Sequence, residues 1–575
     1  MNGNHACPTS KKEVGLFFPG VDKMGEKEIW RGGDLVVRAL KEEGVKYIFG
    51  LSGGHINTIF DACIDFGIKI IDTRHEQAAV NMAEGWARFT GKPGVAVVTA
   101  GPGAVNAFPG VSVAMQSGSP VLIIAGRSSI ERRDIGAMQD MDQIAVMHPV
   151  TKWSRGVYKT NRICEYMTSA FRQAQSGRPG PVFLEIPIDI VEGESHIEEV
   201  VWCKAYRTEH RPYGDPLAIE KAADLLSKAQ RPVVVAGGGV WWSGAGEELR
   251  AFVEATHIPF YSRNMARGVI PDDHALSGGM FPAGLTQADV VLIVGTKLDW
   301  TIAYGRPPIF HPHIKVIQVD IEQEEIGKNR PVDIGIPGDA RAVLSQLGQA
   351  LRGKYKAPDS WVATVKAMMG GVRTQFAGDV RQTGSPVHPA RLAQEVREFL
   401  PRDAALVIDG GDIAVFANVL LDAYSPGSLV WVGAFGHLGV GVPYANAAKL
   451  AHPERPVALL TGDGSFGLSL MELDTAVRHR IPIVCVVAND GGWGQIRRGQ
   501  IAKYGRDRVI GSQLGLRPYH KVVEAMGGYG ELVERTEDVK KALERAFKSG
   551  LPACINVITD PEPKFPGMDF PWQIT

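Results

Sequence analysis

The chain is predicted to fold as three α/β domains, each a doubly wound parallel sheet, and three observations predict it. From about residue 31, short apolar runs alternate with amphipathic helical stretches, the signature of βα units whose helices cover a parallel sheet. A length of 575 residues, 45% of them hydrophobic, supplies core for several domains rather than one. The alternation is broken around 192–213 and again over 354–387, where Gly370-Gly371 and Gly384-Ser385-Pro386 stand. The expected division is a flexible tail over 1–28, domains over 29–200, 214–353 and 388–575, and a linker over 354–387.

Taken in order, the first domain reads as helix 33–43, strand 47–50, strand 68–71, helix 78–89, and strands 95–98, 121–124 and 181–186. These strands are rich in Val and Ile and lack the polar alternation of a sheet with one wet face, so both faces are expected to be covered. The second domain opens with helix 217–228 and strand 232–236 and runs to about 351; the third opens near His388 with a helix and then strand 405–408. No short repeat is visible, so any likeness among the domains is one of architecture.

Composition narrows the partners. There are 62 basic and 63 acidic residues for a net charge of −1, which leaves no electrostatic footprint for nucleic acid or an anionic membrane. Small molecules are the expected partners. Six scattered cysteines without a CxxC argue against a zinc site or a disulfide framework. Residues 1–27 lack a signal-peptide apolar core and no run reaches roughly 18 apolar residues, so a cytoplasmic location is expected.

Chemistry concentrates near the C-terminal end. Residues 457–466 read Val-Ala-Leu-Leu-Thr-Gly-Asp-Gly-Ser-Phe, and 483–494 read Ile-Val-Cys-Val-Val-Ala-Asn-Asp-Gly-Gly-Trp-Gly. Each half is a buried strand breaking into a glycine turn with a carboxylate at its tip. Alone, such a turn is as well explained as a strand end with an exposed Asp. Together, glycines that admit backbone N–H groups to a phosphate and two hard oxygen ligands, Asp463 and Asp490, point to a diphosphate held through Mg²⁺.

From Gly462 to Trp493, the run Gly-Asp-Gly-Ser, then Glu472-Leu473, Pro482 and Asn489-Asp490, resembles the thiamine diphosphate motif of the acetolactate synthase and pyruvate decarboxylase superfamily. The resemblance implies pyrimidine-binding, central and diphosphate-binding domains, in that order. It implies Asp463, Asp490 and the Gly492 carbonyl as Mg²⁺ ligands. Relatives usually carry Asn where Asp490 stands, and Asn489 lies just before it, so an exchange of the two roles stays open. Gly464, Ser465 and Trp493 would complete the cofactor wall. Gly410-Gly411-Asp412-Ile413 would offer N–H groups to the diphosphate, with Asp412 itself turned away because its charge repels phosphate. Gly436-His437-Leu438-Gly439 stands for the family's Gly-x-Met-Gly, with Leu438 as the wedge that bends the cofactor.

Glu76, in Arg74-His75-Glu76-Gln77, reads locally as a first-turn carboxylate favoured by the helix dipole. The resemblance implies instead the glutamate that hydrogen-bonds N1′ of the aminopyrimidine and tunes the cofactor. In relatives this glutamate and the metal-binding aspartate come from different subunits, so at least a homodimer is implied, and tetramers are frequent. The turn at 50–60 with His55, the run Asp72-Thr73-Arg74-His75-Glu76, Gln139 before an Asp-Gln pair, and Thr151-Lys152-Trp153 are similar to benzaldehyde lyase. That likeness implies His55 and Gln139 facing the substrate and handling its carbonyl or hydroxyl proton. Where that branch has a second histidine, this chain has Ser52. Gly101-Pro102-Gly103 with Asn106 reads either as a phosphate-like loop or as a tight turn.

In the central domain, 236–244 and 317–321 sketch a weak nucleotide site with Asp320 at its edge. Relatives hold FAD or the ADP part of coenzyme A here, and others leave it empty; the empty form is expected. Gly295–Trp300 and Tyr304–Pro308 are similar to 2-hydroxyacyl-CoA lyases, and Arg497, Arg498, Lys503, Arg506 and Arg508 read as coenzyme A phosphate contacts or as a solvated face. The expected activity is thiamine diphosphate- and Mg²⁺-dependent cleavage or formation of the C–C bond of 2-hydroxy ketones, with aldehydes as fragments. A 2-oxo acid decarboxylase and carboligase of acetolactate synthase type, a 2-hydroxyacyl-CoA lyase, and a non-catalytic regulatory subunit are the alternatives.

Overall fold

The computed structural model describes residues 28–202 and 206–565. The tail expected over 1–28 lies outside the described residues except for Glu28. The chain forms three α/β domains around parallel sheets, as the apolar runs require.

In the first domain the strand order across the sheet is Lys69–Asp72, Tyr47–Gly50, Gly94–Val98, Val121–Arg127, Val182–Pro187 and Trp153–Gly156. Every residue of Gly94–Val98, Val121–Arg127 and Val182–Pro187 is buried, because helices cover both faces. In the third domain the order is Leu429–Trp431, Ala405–Asp409, Val457–Gly462, Val484–Asn489, Ala553–Ile558 and Tyr529–Val533. Both sheets place their strands second, first, third, fourth, sixth and fifth in chain order. The central sheet, Phe260–Ser262, Pro232–Ala236, Val290–Val294, Lys315–Asp320 and Ile334–Pro337, repeats the first half of that pattern. In each sheet the order reverses between the first and third strands, which opens a crevice at their carboxyl ends.

Two segments differ from the sequence reading. Within 192–213, Glu194–His196 pairs antiparallel with Ile29–Arg31, a partner no local pattern could reveal. Within 354–387, Asp359–Gln375 is a helix whose Trp361 and Val365 are buried against the central sheet, with the Trp361 indole N–H donating to the Pro232 carbonyl at 2.8 Å. Gly370 and Gly371 lie on its open side, where an added Cβ would meet nothing, and so they do not break it.

The first and third domains pack through helices Glu76–Thr90 and Gly441–Ala451. Gly85 permits the approach, since a Cβ there would lie 2.9 Å from the Ala447 Cβ. The Tyr444 hydroxyl donates to Glu84 Oε2 at 2.6 Å and Arg88 Nη1 donates to the Tyr444 oxygen at 3.3 Å. Among the described residues, no helix is long and apolar enough to cross a membrane, and Cys63, Cys164, Cys485 and Cys554 are buried.

Candidate active site

In the third domain the crevice lies between strands Ala405–Asp409 and Val457–Gly462. Their glycine turns touch: Gly410 has φ +116°, and a Cβ on it would lie 2.8 Å from the Gly462 nitrogen. Asp463 opens the helix Asp463–Ser469 and is 2% exposed, and its Oδ2 has no hydrogen-bond partner. Asp490 follows strand Val484–Asn489; its Oδ1 accepts the Gly492 N–H at 3.0 Å and its Oδ2 is 3.4 Å from Arg497 Nη2. Burial raises the pKa of both acids, and the charge of Asp463 raises that of Asp490 further. Two adjacent carboxylates, one buried with an orphaned oxygen and one partly buried, are a donor set suited to a hard divalent cation.

Asn489 does not share that face. It is fully buried, its Nδ2 donates to the Arg517 carbonyl and to Asn556 Oδ1, both at 3.0 Å, and its Oδ1 accepts the Gly491 N–H at 3.2 Å. Asp490 lines the cavity in its place.

That cavity has a volume of about 730 Å³. Its floor is Gly410 to Ile413, Gly462 to Ser465, Asp490 and Gly492 to Ile496, and Gly436 and Leu438 stand on its wall. The Trp493 ring lies on Gly464, where a Cβ would come within 2.5 Å of it. The cavity also borders the central domain, through the apolar Met280, Phe281, Trp300, Ile302 and Ile309 and the polar Arg263, Asn264 and Arg267. No local motif announces this border.

Asp412 is among the residues around the cavity, and Arg498, which is not, grips both of its carboxylate oxygens, Nη2 to Oδ1 at 2.5 Å. This ion pair offsets its charge. Two more of the basic run are engaged within the chain, Arg497 donating to the Pro561 carbonyl at 2.8 Å and Arg506 to Glu562 at 2.6 and 2.9 Å, while Lys503 and Arg508 are exposed.

The first domain builds a second cluster at its own crevice. Glu76 starts helix Glu76–Thr90, is 6% exposed, and accepts the Asn106 Nδ2–H at 3.1 Å on Oε2. Gly101-Pro102-Gly103 is the start of helix Pro102–Ser117, which carries Asn106 to that contact. His55 lies within 3.3 Å of the Thr99 hydroxyl through Nδ1, and burial lowers its pKa, so the ring is neutral at pH 7. Gln139 has φ +62°, and its carbonyl lies 2.6 Å from where a Gly101 Cβ would be.

Sequence reasoning missed Gln143. Its Oε1 accepts the Gly101 N–H at 2.7 Å and its Nε2 donates to Glu185 Oε2 at 2.9 Å, while Glu185 Oε1 accepts from Arg127 at 2.8 Å. The Asp142-Gln143 pair that helped mark Gln139 was the available signal. Glu76, His55 and Gln139 do not line the cavity of their own chain.

In the central domain the Gly239 N–H donates to the Gly295 carbonyl at 2.8 Å, and a Cβ on Gly237 would lie 2.2 Å from the Thr296 Cβ. These glycines serve the close approach of two turns. Asp320 accepts the Glu322 N–H at 3.0 Å, and burial raises its pKa.

Three such domains, with a glycine-walled carboxylate pair in the last, define an enzyme that holds a diphosphate cofactor. The sequence matches thiamine pyrophosphate enzymes in all three parts: the N-terminal TPP binding domain over 30–146, the central domain over 219–347 and the C-terminal TPP binding domain over 409–557. The chain belongs to the thiamine pyrophosphate enzyme family. It is 40% identical over 539 residues to the acetolactate synthase large subunit IlvG of Mycobacterium tuberculosis, covering 93% of this chain and 96% of that one. It is 34% identical over 591 residues to 2-hydroxyacyl-CoA lyase 2 of Homo sapiens, covering 95% and 92%. With 2-hydroxyacyl-CoA lyase of Arabidopsis thaliana it shares 33% over 556 residues, covering 92% and 96%.

Proposed function

We propose that this chain is a thiamine diphosphate- and Mg²⁺-dependent lyase and carboligase acting on the C–C bond of 2-hydroxy ketones, as benzaldehyde lyase does. The observation that carries this reading is that the cavity holding the Asp463–Asp490 pair is also lined by Met280, Phe281, Trp300, Ile302 and Ile309 of the central domain, side chains that suit a substrate with an apolar substituent beside its carbonyl. When bound, the cofactor supplies a nucleophilic carbon and an electron sink for cleaving a bond next to a carbonyl.

The chain's own groups have distinct tasks. Asp463, Asp490 and the Gly492 carbonyl would hold Mg²⁺, and the amides of Gly410 to Ile413, Gly464 and Ser465 would meet the diphosphate. Leu438 would set the cofactor's bend. Glu76 would hold a proton at the pyrimidine nitrogen, and neutral His55 and Gln139 would bind and relay the proton at the substrate oxygen. Since none of these three lines the cavity of its own chain, the complete site takes them from a second copy, in a homodimer or a tetramer built from it. We place the enzyme in the cytoplasm and its central domain without FAD or ADP.

The test is aldehyde release from benzoin by protein loaded with thiamine diphosphate and Mg²⁺, with CO₂ release from pyruvate followed in parallel. Aldehyde without CO₂ supports the proposal. CO₂ from pyruvate would replace it with the 2-oxo acid reading, which the 40% identity to an acetolactate synthase favours. Turnover of a 2-hydroxyacyl-CoA alone would move it toward the lyases of that name.

A further inference from the structure

We propose that Asp409 is a positioning residue for Leu438, a single buried side chain that ties the loop carrying the wedge to the strand end beneath the diphosphate turn. The role of Leu438 rests on the reading above; the anchoring itself rests on geometry.

Asp409 ends strand Ala405–Asp409 and is 1% exposed. Its Oδ2 accepts two backbone N–H groups, those of Gly439 and Gly441, each at 2.9 Å. These amides flank one residue, Val440, and follow Leu438 directly, so one carboxylate oxygen clamps the loop where the wedge leaves it. The loop needs a clamp. Gly436 and Gly439 have φ +68° and +86°, conformations whose only intrinsic support is the absence of a Cβ.

The carboxylate also reaches the metal side of the site. Its Oδ1 has no hydrogen-bond partner, while the Gly410 N–H and the Ser465 hydroxyl lie near enough to favour its charge. Gly410 touches the Gly462 turn, and Ser465 is two residues past Asp463. Burial pushes its pKa up to about 6, so the group is mostly ionised at pH 7. A neutral side chain of this size could keep an acceptor but not two charge-assisted bonds, which are about twice as strong as neutral ones. On its far side the loop has a second, weaker tether, His437 Nε2 within 2.8 Å of the Gln77 amide nitrogen.

The test compares Asp409→Asn, Gly441→Ala and Leu438→Ala. A Cβ on Gly441 would come within 2.7 Å of Leu459 Cδ1, 2.9 Å of Asp409 Cβ and 3.0 Å of Asp409 Oδ2, loosening the clamp while keeping the Asp409 carboxylate in the chain. Three readouts are needed: amide hydrogen exchange of 436–441 without cofactor, cofactor affinity from quenching of tryptophan fluorescence, and kcat against KM for aldehyde release. Asp409→Asn is expected to speed exchange at Gly439 and Gly441 about tenfold, weaken cofactor binding about tenfold, and lower kcat with KM unchanged. Gly441→Ala should reproduce the exchange change. Leu438→Ala should lower kcat without it.

Unchanged exchange in both clamp variants, or a rise spread evenly over the third domain, would overturn the proposal. If Asp409→Asn does not fold, Gly441→Ala decides. If the wild-type protein cleaves no 2-hydroxy ketone, the functional reading fails, and exchange and cofactor affinity still judge Asp409.

Discussion

The first and third domains share one strand order and one crevice between first and third strands, yet they equip it with opposite chemistry. In the third, two glycine turns meet at backbone distance and carboxylates face a cavity of about 730 Å³. In the first, the equivalent turns bring His55 to Thr99 and are closed over by Gln139, Gln143 and the Arg127–Glu185 pair. Topology places the crevice, and the residues in the turns decide whether it admits a phosphate or presents an acid–base group. One fold is used twice, and on the proposed reading its two crevices are half-sites that complete each other across two copies of the chain.

Breaking the first half-site should have the largest effect. Glu76→Gln is expected to lower kcat by about 10²- to 10⁴-fold while cofactor affinity, read by fluorescence titration, changes little. Equal loss of affinity and kcat would mean that Glu76 holds the cofactor rather than activates it. On the other side, Asp463→Asn should weaken Mg²⁺-dependent cofactor binding by about a hundredfold or more, measured by the same titration. Asp490→Asn restores the residue usual in the family and should stay within about tenfold of wild type, since an amide oxygen also serves a hard cation.

Arg498 tests how the third domain tolerates its extra acid. Arg498→Gln leaves Asp412 uncompensated beside Asp490, and cofactor affinity should fall about tenfold, more steeply at low salt. Asn106→Ala removes one of the contacts on Glu76 and is expected to lower kcat about fivefold with no change in Mg²⁺ affinity.

The smallest contrast is one of pH and stability. Burial raises the pKa of Asp463 and Asp490, and that of Asp409 to about 6 from 3.8. Groups raised on folding bind protons more tightly in the native state, so their contribution is fully present below about pH 4 and is lost as pH rises through about 6. The cofactor-free protein should therefore melt lower at pH 7 than at pH 5.5 as far as these groups are concerned, and Asp463→Asn should flatten that slope in thermal unfolding scans.

Much of this was legible in the sequence because it is local. A buried parallel strand is a short Val- and Ile-rich run, and a phosphate turn needs its glycines and acids within a few residues, so the strands, Asp463, Asp490 and Glu76 stand out along the chain. The segment over 354–387 misled because Gly370-Gly371 signals a break only when the glycines are read without knowing that Trp361 is held by the central sheet. Glu194–His196 lacked any apolar pattern, since its partner strand lies at the start of the domain.

What the sequence by itself determined is the set of domains, the paired strand-turn motif and the residue types able to hold a metal and a diphosphate. Only the tertiary structure decided which of Asn489 and Asp490 faces the cavity, that Arg498 offsets Asp412, that Asn106 meets Glu76, and that Asp409 clamps the Leu438 loop. The reason is physical. Those choices depend on contacts between residues 28 to 86 positions apart, and the side chain a crevice receives is settled by packing around it rather than by its neighbours in the chain.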